Sequence, residues 1–233
     1  MQNADFQTYK ASIRSAIRAA LAEAAPGMLD EAAFPAYSHR NLLINWLFWQ
    51  RLRVVMEFIE RAAPCEQILD FGCGSGVMLP FLGRHAQRVL GLDVNLLPFQ
   101  TMSRRLEFPA NLEVRDARAH PLDSLPAASF DLITALDVLE HVDDLSATLR
   151  GLVRLLKPGG RLIVSGPTEN LFYQIGRRLA GREYSGAYHE RGIAEVRREL
   201  GRLVAVRTLA RLYPPVTLFD IFIGTKPSSP PKG

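Results

Sequence analysis

A glycine-rich turn directly after a short apolar run is the feature that most limits how this chain can fold. The segment 68–76 reads ILDFGCGSG, with the apolar Ile68 and Leu69 before the acidic Asp70 and glycines at positions 72, 74 and 76. Glycine lets a strand turn sharply while its backbone stays open to a ligand. The segment therefore predicts a buried strand that ends at a ligand-facing turn. Taken alone, these glycines are also typical of a plain strand-to-helix turn.

From residue 66 onward, short apolar runs alternate with helical patterns. The predicted strands are Gln67–Phe71, Arg88–Leu92, Leu112–Arg115, Phe130–Leu136, Gly160–Ser165, Leu203–Leu209 and Leu218–Thr225. Helical segments separate the first five, which predicts right-handed crossovers and a largely parallel sheet covered on both faces. The last two are joined without an evident helix. We expect an α/β fold with a doubly wound, mostly parallel sheet of seven strands that ends in an antiparallel hairpin.

Two helices are predicted before the first strand. In the segment 5–25, apolar residues recur at spacings of three and four, with basic residues on another face. A second helical stretch covers about 40–61, where Arg51, Arg53 and Glu57 interrupt the apolar run before the roughly 18 residues that a membrane span needs. We expect residues 1–64 to form a helical arm or lid, residues 65–226 the main domain, and residues 227–233 a disordered tail.

Composition limits the class of protein. The chain has 233 residues, 48% of them hydrophobic, which suffices for one sizeable core. The two cysteines, Cys65 and Cys73, have no partners at metal-ligand spacing, which favours a reducing, cytoplasmic setting. A net charge of +4 is too small to require nucleic acid as a partner, and the first twenty residues predict no signal peptide. Oligomeric state stays open.

Acidic residues follow the next strands at spacings that indicate a nucleoside site. Asp93 ends the second strand, twenty-one residues after Gly72, where a carboxylate can accept hydrogen bonds from ribose hydroxyls. Asp116 ends the third strand and could accept from an exocyclic amine. The fourth strand, FDLITALDVLEH, ends where the sheet order reverses, the usual ligand crevice of such sheets. All four strand ends are expected to meet at one cleft.

These motifs together resemble a known family. The set ILDFGCGSG, VLGLDVN, RDA, SFDLITALDVLEHV and LLKPGGRLIVSGP, over roughly residues 65–167, is similar to the motifs of class I (Rossmann-like) S-adenosylmethionine-dependent methyltransferases of the small-molecule type, such as quinone-biosynthesis O-methyltransferases. The resemblance implies S-adenosylmethionine as cofactor, S-adenosylhomocysteine as product and a small-molecule acceptor. It implies the cofactor contacts Asp70, Gly72, Cys73, Gly74, Gly76, Asp93, Val94, Asp116, Ala117 and Leu136. For Asp70, anchoring of the turn is an equal alternative.

A general base is needed only where the acceptor is a weak acid such as a hydroxyl. The candidates are His141, after the fourth strand, and His189 with Tyr188. The run 137–141 also resembles the E-x-x-E-H cation site of quinone-biosynthesis methyltransferases, with aspartate in the first place. Asp137, Glu140 and His141 are therefore candidate metal ligands, although no metal is the expectation because metal-independent relatives also carry the LEHV string of residues 139–142.

The segment 168–202 is predicted to be a substrate cap. It contains four aromatic residues beside four arginines, Phe172, Tyr173, Tyr184, Tyr188, Arg177, Arg178, Arg182 and Arg191. A cap of this kind favours an anionic or lipid-like acceptor, and the basic helix 5–25 leaves peripheral membrane contact open. The alternative for this segment is a solvated pair of helices packed on the sheet.

Two other functions are carried as alternatives. A catalytically silent scaffold that binds S-adenosylmethionine or S-adenosylhomocysteine would keep the same cofactor motifs. A nicotinamide-dependent oxidoreductase would need a glycine at the sixth position from Gly72, where this chain has Val77. No tyrosine precedes a lysine by four residues, the proton-transfer pair of short-chain reductases.

Overall fold

The computed structural model describes residues 3–23, 37, 42–168, 192–213 and 217–228. The strands are β1 (Cys65–Phe71), β2 (Ala86–Asp93), β3 (Leu112–Asp116), β4 (Phe130–Leu136), β5 (Leu156–Pro167), β6 (Ala205–Leu212) and β7 (Phe219–Thr225). The helices are α1 (Asn3–Glu23), α2 (Leu42–Ala62), α3 (Leu79–Gly83), α4 (Leu97–Ser103), α5 (Leu145–Leu155) and α6 (Ile193–Gly201). Short 3-10 turns cover Leu122–Ser124 and Leu139–His141.

The seven strands form one sheet in the order β3-β2-β1-β4-β5-β7-β6. β1 to β5 pair in parallel. β7 runs antiparallel to both of its neighbours, β5 and β6. The predicted mostly parallel sheet with an antiparallel C-terminal strand is therefore confirmed. The order reverses between β1 and β4, so the carboxyl ends of these two strands open the crevice that such a sheet offers to ligands.

Neighbouring residues of each central strand point to opposite faces of the sheet, as the pleat requires. On β1, Ile68 belongs to the core under α1, α2 and α3, whereas Leu69 belongs to the core under α5 and α6. On β7, Ile221 and Ile223 face the first core and Phe222 the second. Both faces of the sheet are buried under helices, which explains why the strands are nearly continuous apolar runs in the sequence.

The two N-terminal helices supply much of the first core. Phe6 of α1 meets Trp49 of α2 edge to face, with ring centroids 6.0 Å apart. The buried hydroxyl of Tyr9 donates a hydrogen bond to the carbonyl of Val77, at the end of the glycine turn. Burial raises the pKa of Tyr9 well above its usual range. The predicted arm therefore packs on the sheet domain, and its role as a lid stays a prediction.

The fifth strand begins earlier than predicted. The sequence placed its start at Gly160, but β5 begins at Leu156. The register shifts here, because Phe130 pairs with Leu156 while Leu132 pairs with Arg161. Gly159, with φ of +77°, lies inside the resulting bulge. Proline and glycine in this position read as a turn in the sequence, whereas the strand continues through them.

The segment 168–202 is described only in part, since residues 169–191 lie outside the described residues. Its C-terminal portion forms α6, whose buried Ile193, Val196 and Leu200 pack in the second core. This portion has the packing expected of a sheet-covering helix. No helix among the described ranges is long and apolar enough to cross a membrane.

Candidate functional site

The carboxyl ends of β1, β2, β3 and β4 bring most of the predicted site residues to one edge of the sheet. The residues placed there are Asp70, Gly72, Cys73, Gly74, Gly76, Asp93, Val94, Asp116, Ala117 and Leu136. Leu92 of β2 connects two of these ends, because its carbonyl accepts hydrogen bonds from the N–H groups of Gly72 and Cys73 at 2.8 and 3.2 Å. The turn is thus fixed on the neighbouring strand.

All three glycines of the turn have left-handed backbone angles, with φ of +73°, +52° and +76° at Gly72, Gly74 and Gly76. Gly72 is packed closely, since a Cβ built on it would lie 2.3 Å from Cγ2 of Val138. Gly74 is different, because a Cβ there would meet nothing within 4 Å. Gly74 therefore presents open backbone at the crevice, the arrangement that a close-lying ligand requires.

Asp93 at the tip of β2 is bonded directly to this turn. Its Oδ2 accepts the backbone N–H of Gly74 at 2.7 Å, and its Oδ1 accepts that of Asn95 at 2.8 Å. A carboxylate offers about four acceptor positions. Asp93 is partly exposed, so it keeps capacity for two further donors, which matches the adjacent hydroxyls of a ribose.

Asp116 lies beside Asp93 on the next strand. Asp93 and Asp116 are paired in the register of β2 and β3, and the N–H of Ala117 donates to the carbonyl of Asp93 at 2.9 Å. Oδ1 of Asp116 accepts the N–H of Arg118 at 2.8 Å, which shapes the loop after β3. The two acids therefore stand side by side at the carboxyl ends of neighbouring strands. Val94, next to Asp93, is 54% exposed.

Asp70 lies beneath the turn and is buried. Its Oδ1 accepts a hydrogen bond from the Thr134 hydroxyl of β4 at 2.6 Å. Burial raises the pKa of Asp70 to about 6, with the Thr134 hydrogen bond opposing the rise and the charge of Asp93 adding to it. The side chain thus ties β1 to β4 across the crevice, a contact that the sequence did not predict.

Cys73 lies in the middle of the turn, and its side chain is buried. Burial raises the pKa of its thiol well above the usual range, and the charges of Asp70 and Asp93 raise it further. Its sulfur packs closely on β2, because a Cβ built on Gly91 would lie 3.1 Å from Sγ. The thiol therefore fills space under the turn, and thiolate chemistry at neutral pH is disfavoured.

The end of β4 carries an unusual backbone and a buried ion pair. Asp137 has φ of +54°, which is uncommon for a residue with a side chain. Its carboxylate forms an ion pair with Arg51 of α2, which is 1% exposed. Sequence reasoning missed this pair. The signal available was a charged residue inside an otherwise apolar helical run.

Of the three candidate metal ligands, Asp137 is engaged by Arg51, Glu140 is buried and His141 is exposed. Among the residues that the structure describes, no group of three His, Cys, Asp or Glu side chains is placed to hold a metal ion. The arginine therefore occupies the carboxylate that a cation at this place would use. Of the candidate bases, His141 lies in the 3-10 turn after β4, while Tyr188 and His189 lie outside the described residues.

The polar groups at this edge of the sheet fit a nucleoside cofactor better than a dinucleotide. Val77, where a dinucleotide-binding turn needs glycine, has a buried side chain, and its carbonyl is held by Tyr9. A dinucleotide-binding turn needs glycine at this position for close packing of the helix on the strand, and the valine side chain fills that space. What the edge offers is an open glycine backbone and two paired carboxylates, which suit hydroxyl and amine donors.

Residues 69–164 match the family described as a methyltransferase domain. The chain is 33% identical over 147 residues to the ubiquinone biosynthesis O-methyltransferase of Pseudomonas fluorescens (strain Pf0-1), covering 61% of this chain and 59% of that protein. It is 31% identical over 142 residues to the protein of the same name from Hahella chejuensis (strain KCTC 2396), covering 58% and 60%. The chain thus spans about three fifths of the length of these curated relatives.

Solved structures share the fold. The N-methyltransferase NodS from Bradyrhizobium japonicum WM9, in complex with S-adenosylhomocysteine, is similar with a TM-score of 0.59 and 18% identity over 93% of this chain and 98% of that one. Magnesium protoporphyrin IX methyltransferase from Synechocystis PCC 6803, with the same molecule bound, gives a TM-score of 0.59 and 18% identity over 91% and 93%.

Proposed function

We propose that this chain, which carries the domain and fold of class I methyltransferases, transfers the methyl group of S-adenosylmethionine to a small-molecule acceptor. The observation that carries the proposal is the hydrogen bond of 2.7 Å between the Asp93 carboxylate and the N–H of Gly74. It joins a ribose-type acceptor to an open glycine backbone at the crevice of the sheet. The activity of the whole protein is proposed because its curated relatives are longer than the matched part.

Different residues at this edge of the sheet are proposed to bind different parts of the cofactor. Asp93 is proposed to accept the ribose hydroxyls, and Asp116 with Ala117 to face the adenine. Gly72, Gly74 and Leu136 present backbone to the methionine end. When bound, the cofactor supplies a methyl group already activated by its sulfonium. The protein then has to align the acceptor with that methyl group and exclude water.

A base is proposed only for an acceptor that must lose a proton. His141 follows β4 closely, in the turn Leu139–His141. Histidine is the side chain that most often serves as a general base. Tyr188 and His189 remain alternative candidates. Variants at His141 that lower kcat with a hydroxyl acceptor, and not with an already ionised one, would support its role.

The acceptor is proposed to be anionic or lipid-like. Two observations favour an acceptor with an apolar part. Trp46 of α2 is 44% exposed and packs on Tyr213, which follows β6, with ring centroids 5.3 Å apart. Aromatic rings with one wet side are typical of surfaces that meet lipids or apolar ligands. The curated relatives are named for ubiquinone biosynthesis, and quinone precursors are partly apolar.

The cheapest test is calorimetric titration of the purified chain with S-adenosylmethionine and S-adenosylhomocysteine. Binding of both, followed by methyl transfer to a panel of phenolic, carboxylic and amine acceptors, is the expected result. Absence of binding would refute the proposal. Binding without transfer to any acceptor would favour the catalytically silent scaffold instead. Peripheral membrane contact of the basic helix α1 is also proposed, and failure of the chain to co-sediment with anionic vesicles would refute it.

A further inference from the structure

The ion pair between Arg51 and Asp137 links the N-terminal helix α2 to the last residues of β4. The two residues are 86 positions apart in the chain, and their contact is buried on the arginine side, with 1% of the Arg51 side chain exposed. A buried ion pair costs desolvation that its attraction only partly returns. Its presence beside the crevice therefore calls for a role other than general stability.

Arg51 is held in place from several sides. Its guanidinium carbon lies 5.4 Å from the ring centroids of both Phe48 and Phe219, and Nη2 donates to the Tyr37 hydroxyl at 2.8 Å. Two aromatic faces and a fixed hydroxyl leave the planar group few orientations. Its Nε is buried without a hydrogen-bond partner among the described residues. Arg51 is thus a preoriented cation whose main partner is Asp137.

Asp137 is held at both carboxylate oxygens. Oδ2 pairs with Arg51, and Oδ1 accepts the Ser165 hydroxyl at 3.3 Å. The N–H of Asp137 also donates to the Ser165 carbonyl at 2.9 Å. With φ of +54°, this residue is in a conformation that needs support from its surroundings. The arginine and the serine together supply that support.

The next residue, Val138, is the one that meets the glycine turn. A Cβ built on Gly72 would lie 2.3 Å from Cγ2 and 2.6 Å from Cβ of Val138, so the valine packs directly against the Gly72 backbone. The conformation of Asp137 sets the direction in which Val138 leaves β4. The contacts therefore run from Arg51 through Asp137 and Val138 to the turn that is proposed to bind the cofactor.

We propose that Arg51 is a positioning residue for methyl transfer, which orients Asp137 and thereby seats Val138 against the Gly72 turn. This inference rests on the proposed function, since the turn must bind S-adenosylmethionine. It makes α2 part of the cofactor site, although α2 precedes every strand in the chain. Arg51 acts through Asp137 and touches no reacting atom.

The test is a double-mutant cycle read by S-adenosylhomocysteine affinity. Arg51→Met and Asp137→Asn are each expected to weaken binding by about tenfold, and the double variant by the same factor rather than by its square, because both changes break one contact path. Arg51→Lys should recover part of the loss, since a lysine keeps the charge but not the planar fork. Arg53→Met, two residues along the same helix and paired with Glu57, is the matched control and should leave affinity unchanged.

The outcomes separate the two proposals. If the wild type binds and Arg51→Met binds with the same affinity, the inference is overturned while the proposed function stays intact. The same holds if the losses of the two single variants multiply in the double variant. A rise in acceptor KM alone would also overturn it, since it would place Arg51 at the acceptor. If the methionine variant does not fold, as judged by thermal melting, the lysine and asparagine variants carry the same cycle. Absence of binding by the wild type would refute the proposed function, and the inference with it.

Discussion

The carboxylate of Asp93 and the backbone N–H of Gly74 are 2.7 Å apart and joined by a hydrogen bond. This contact holds the tip of β2 on the turn that follows β1. A hydrogen bond from a backbone N–H to a charged acceptor is stronger than one to a neutral acceptor. Asp93 therefore shapes the turn, and its remaining acceptor positions are proposed to receive hydroxyl donors of a ligand lying on it.

Replacing Asp93 by alanine is expected to weaken S-adenosylhomocysteine binding by about 1–3 kcal/mol, the usual cost of losing a partner of buried polar groups. Titration calorimetry measures the change. Asp123→Ala, which removes an exposed acid from a 3-10 turn, is the control and should have no effect. Undiminished affinity in Asp93→Ala would remove the ribose role.

Gly72 and Gly74 should respond differently to alanine. At Gly72 the new methyl group collides with Val138, and together with the left-handed backbone this should cost about 2–4 kcal/mol of folding stability. At Gly74 the methyl group meets open space, so only the backbone strain, about 1–2 kcal/mol, is expected. Gly74→Ala should nevertheless reduce cofactor affinity by at least about tenfold, or 1.4 kcal/mol, because the cofactor is proposed to lie against this backbone.

Denaturant melts and calorimetry on the two variants check these expectations. Val138→Ala in the Gly72→Ala background should return part of the lost stability. Gly201→Ala serves as the control, since its methyl group also meets nothing within 4 Å and its backbone is not left-handed. Gly74→Ala that binds the cofactor as the wild type does would mean that the ligand lies elsewhere.

The sequence predicted the sheet well because each strand carries its own local signal. Phe130–Leu136 coincides with β4 from its first to its last residue, and the resemblance to class I methyltransferases drawn from the motifs is confirmed by the family match over residues 69–164. The bulge at the start of β5 was missed, because Pro158 and Gly159 are also turn residues. Local patterns do not show whether a strand resumes after them.

The contacts between distant segments could not be predicted. Arg51 reads in the sequence only as a charge that interrupts an apolar stretch, and nothing local links it to Asp137. The hydrogen bond from Thr134 to Asp70 leaves no signal in the sequence either, since threonine is common in strands. Both contacts arise because the sheet brings β1, β4 and β5 together and α2 packs on top. The roles of the individual site residues stay predictions.

Asp131, at the start of β4, should be structural and not part of the site. Its Oδ2 accepts the N–H groups of Glu66 and Gln67, both at 2.9 Å, and its Oδ1 lies 2.9 Å from Lys157 Nζ. Asp131→Ala should therefore cost about 1–3 kcal/mol of stability and leave S-adenosylhomocysteine affinity unchanged. Weaker binding in a variant that melts only slightly earlier would contradict this assignment.

The same carboxylate should contribute to acid sensitivity. Partial burial raises the pKa of Asp131, but the hydrogen bonds from Gln67 and Lys157 outweigh this and hold the pKa below its usual range. A group with a lowered folded-state pKa stabilises the protein above its unfolded value and loses that contribution as the pH falls through the folded value. The stability difference between wild type and Asp131→Ala should therefore shrink below about pH 4.

Asp70 should have the opposite pH dependence, because burial raises its pKa from 3.8 to about 6. The folded protein then holds this proton more tightly than the unfolded chain, so Asp70 is least costly below pH 3.8 and becomes destabilising as the pH rises through about 6. The shift corresponds to roughly 3 kcal/mol at neutral pH.

Asp70→Asn, which keeps an oxygen for the Thr134 hydroxyl, removes this titration. Denaturant melts of both proteins between pH 4 and 7 should show the variant gaining stability relative to the wild type as the pH rises. A constant difference across that range would mean that Asp70 is already ionised in the folded protein at pH 4. The Asp70 carboxylate would then be better solvated than its burial indicates.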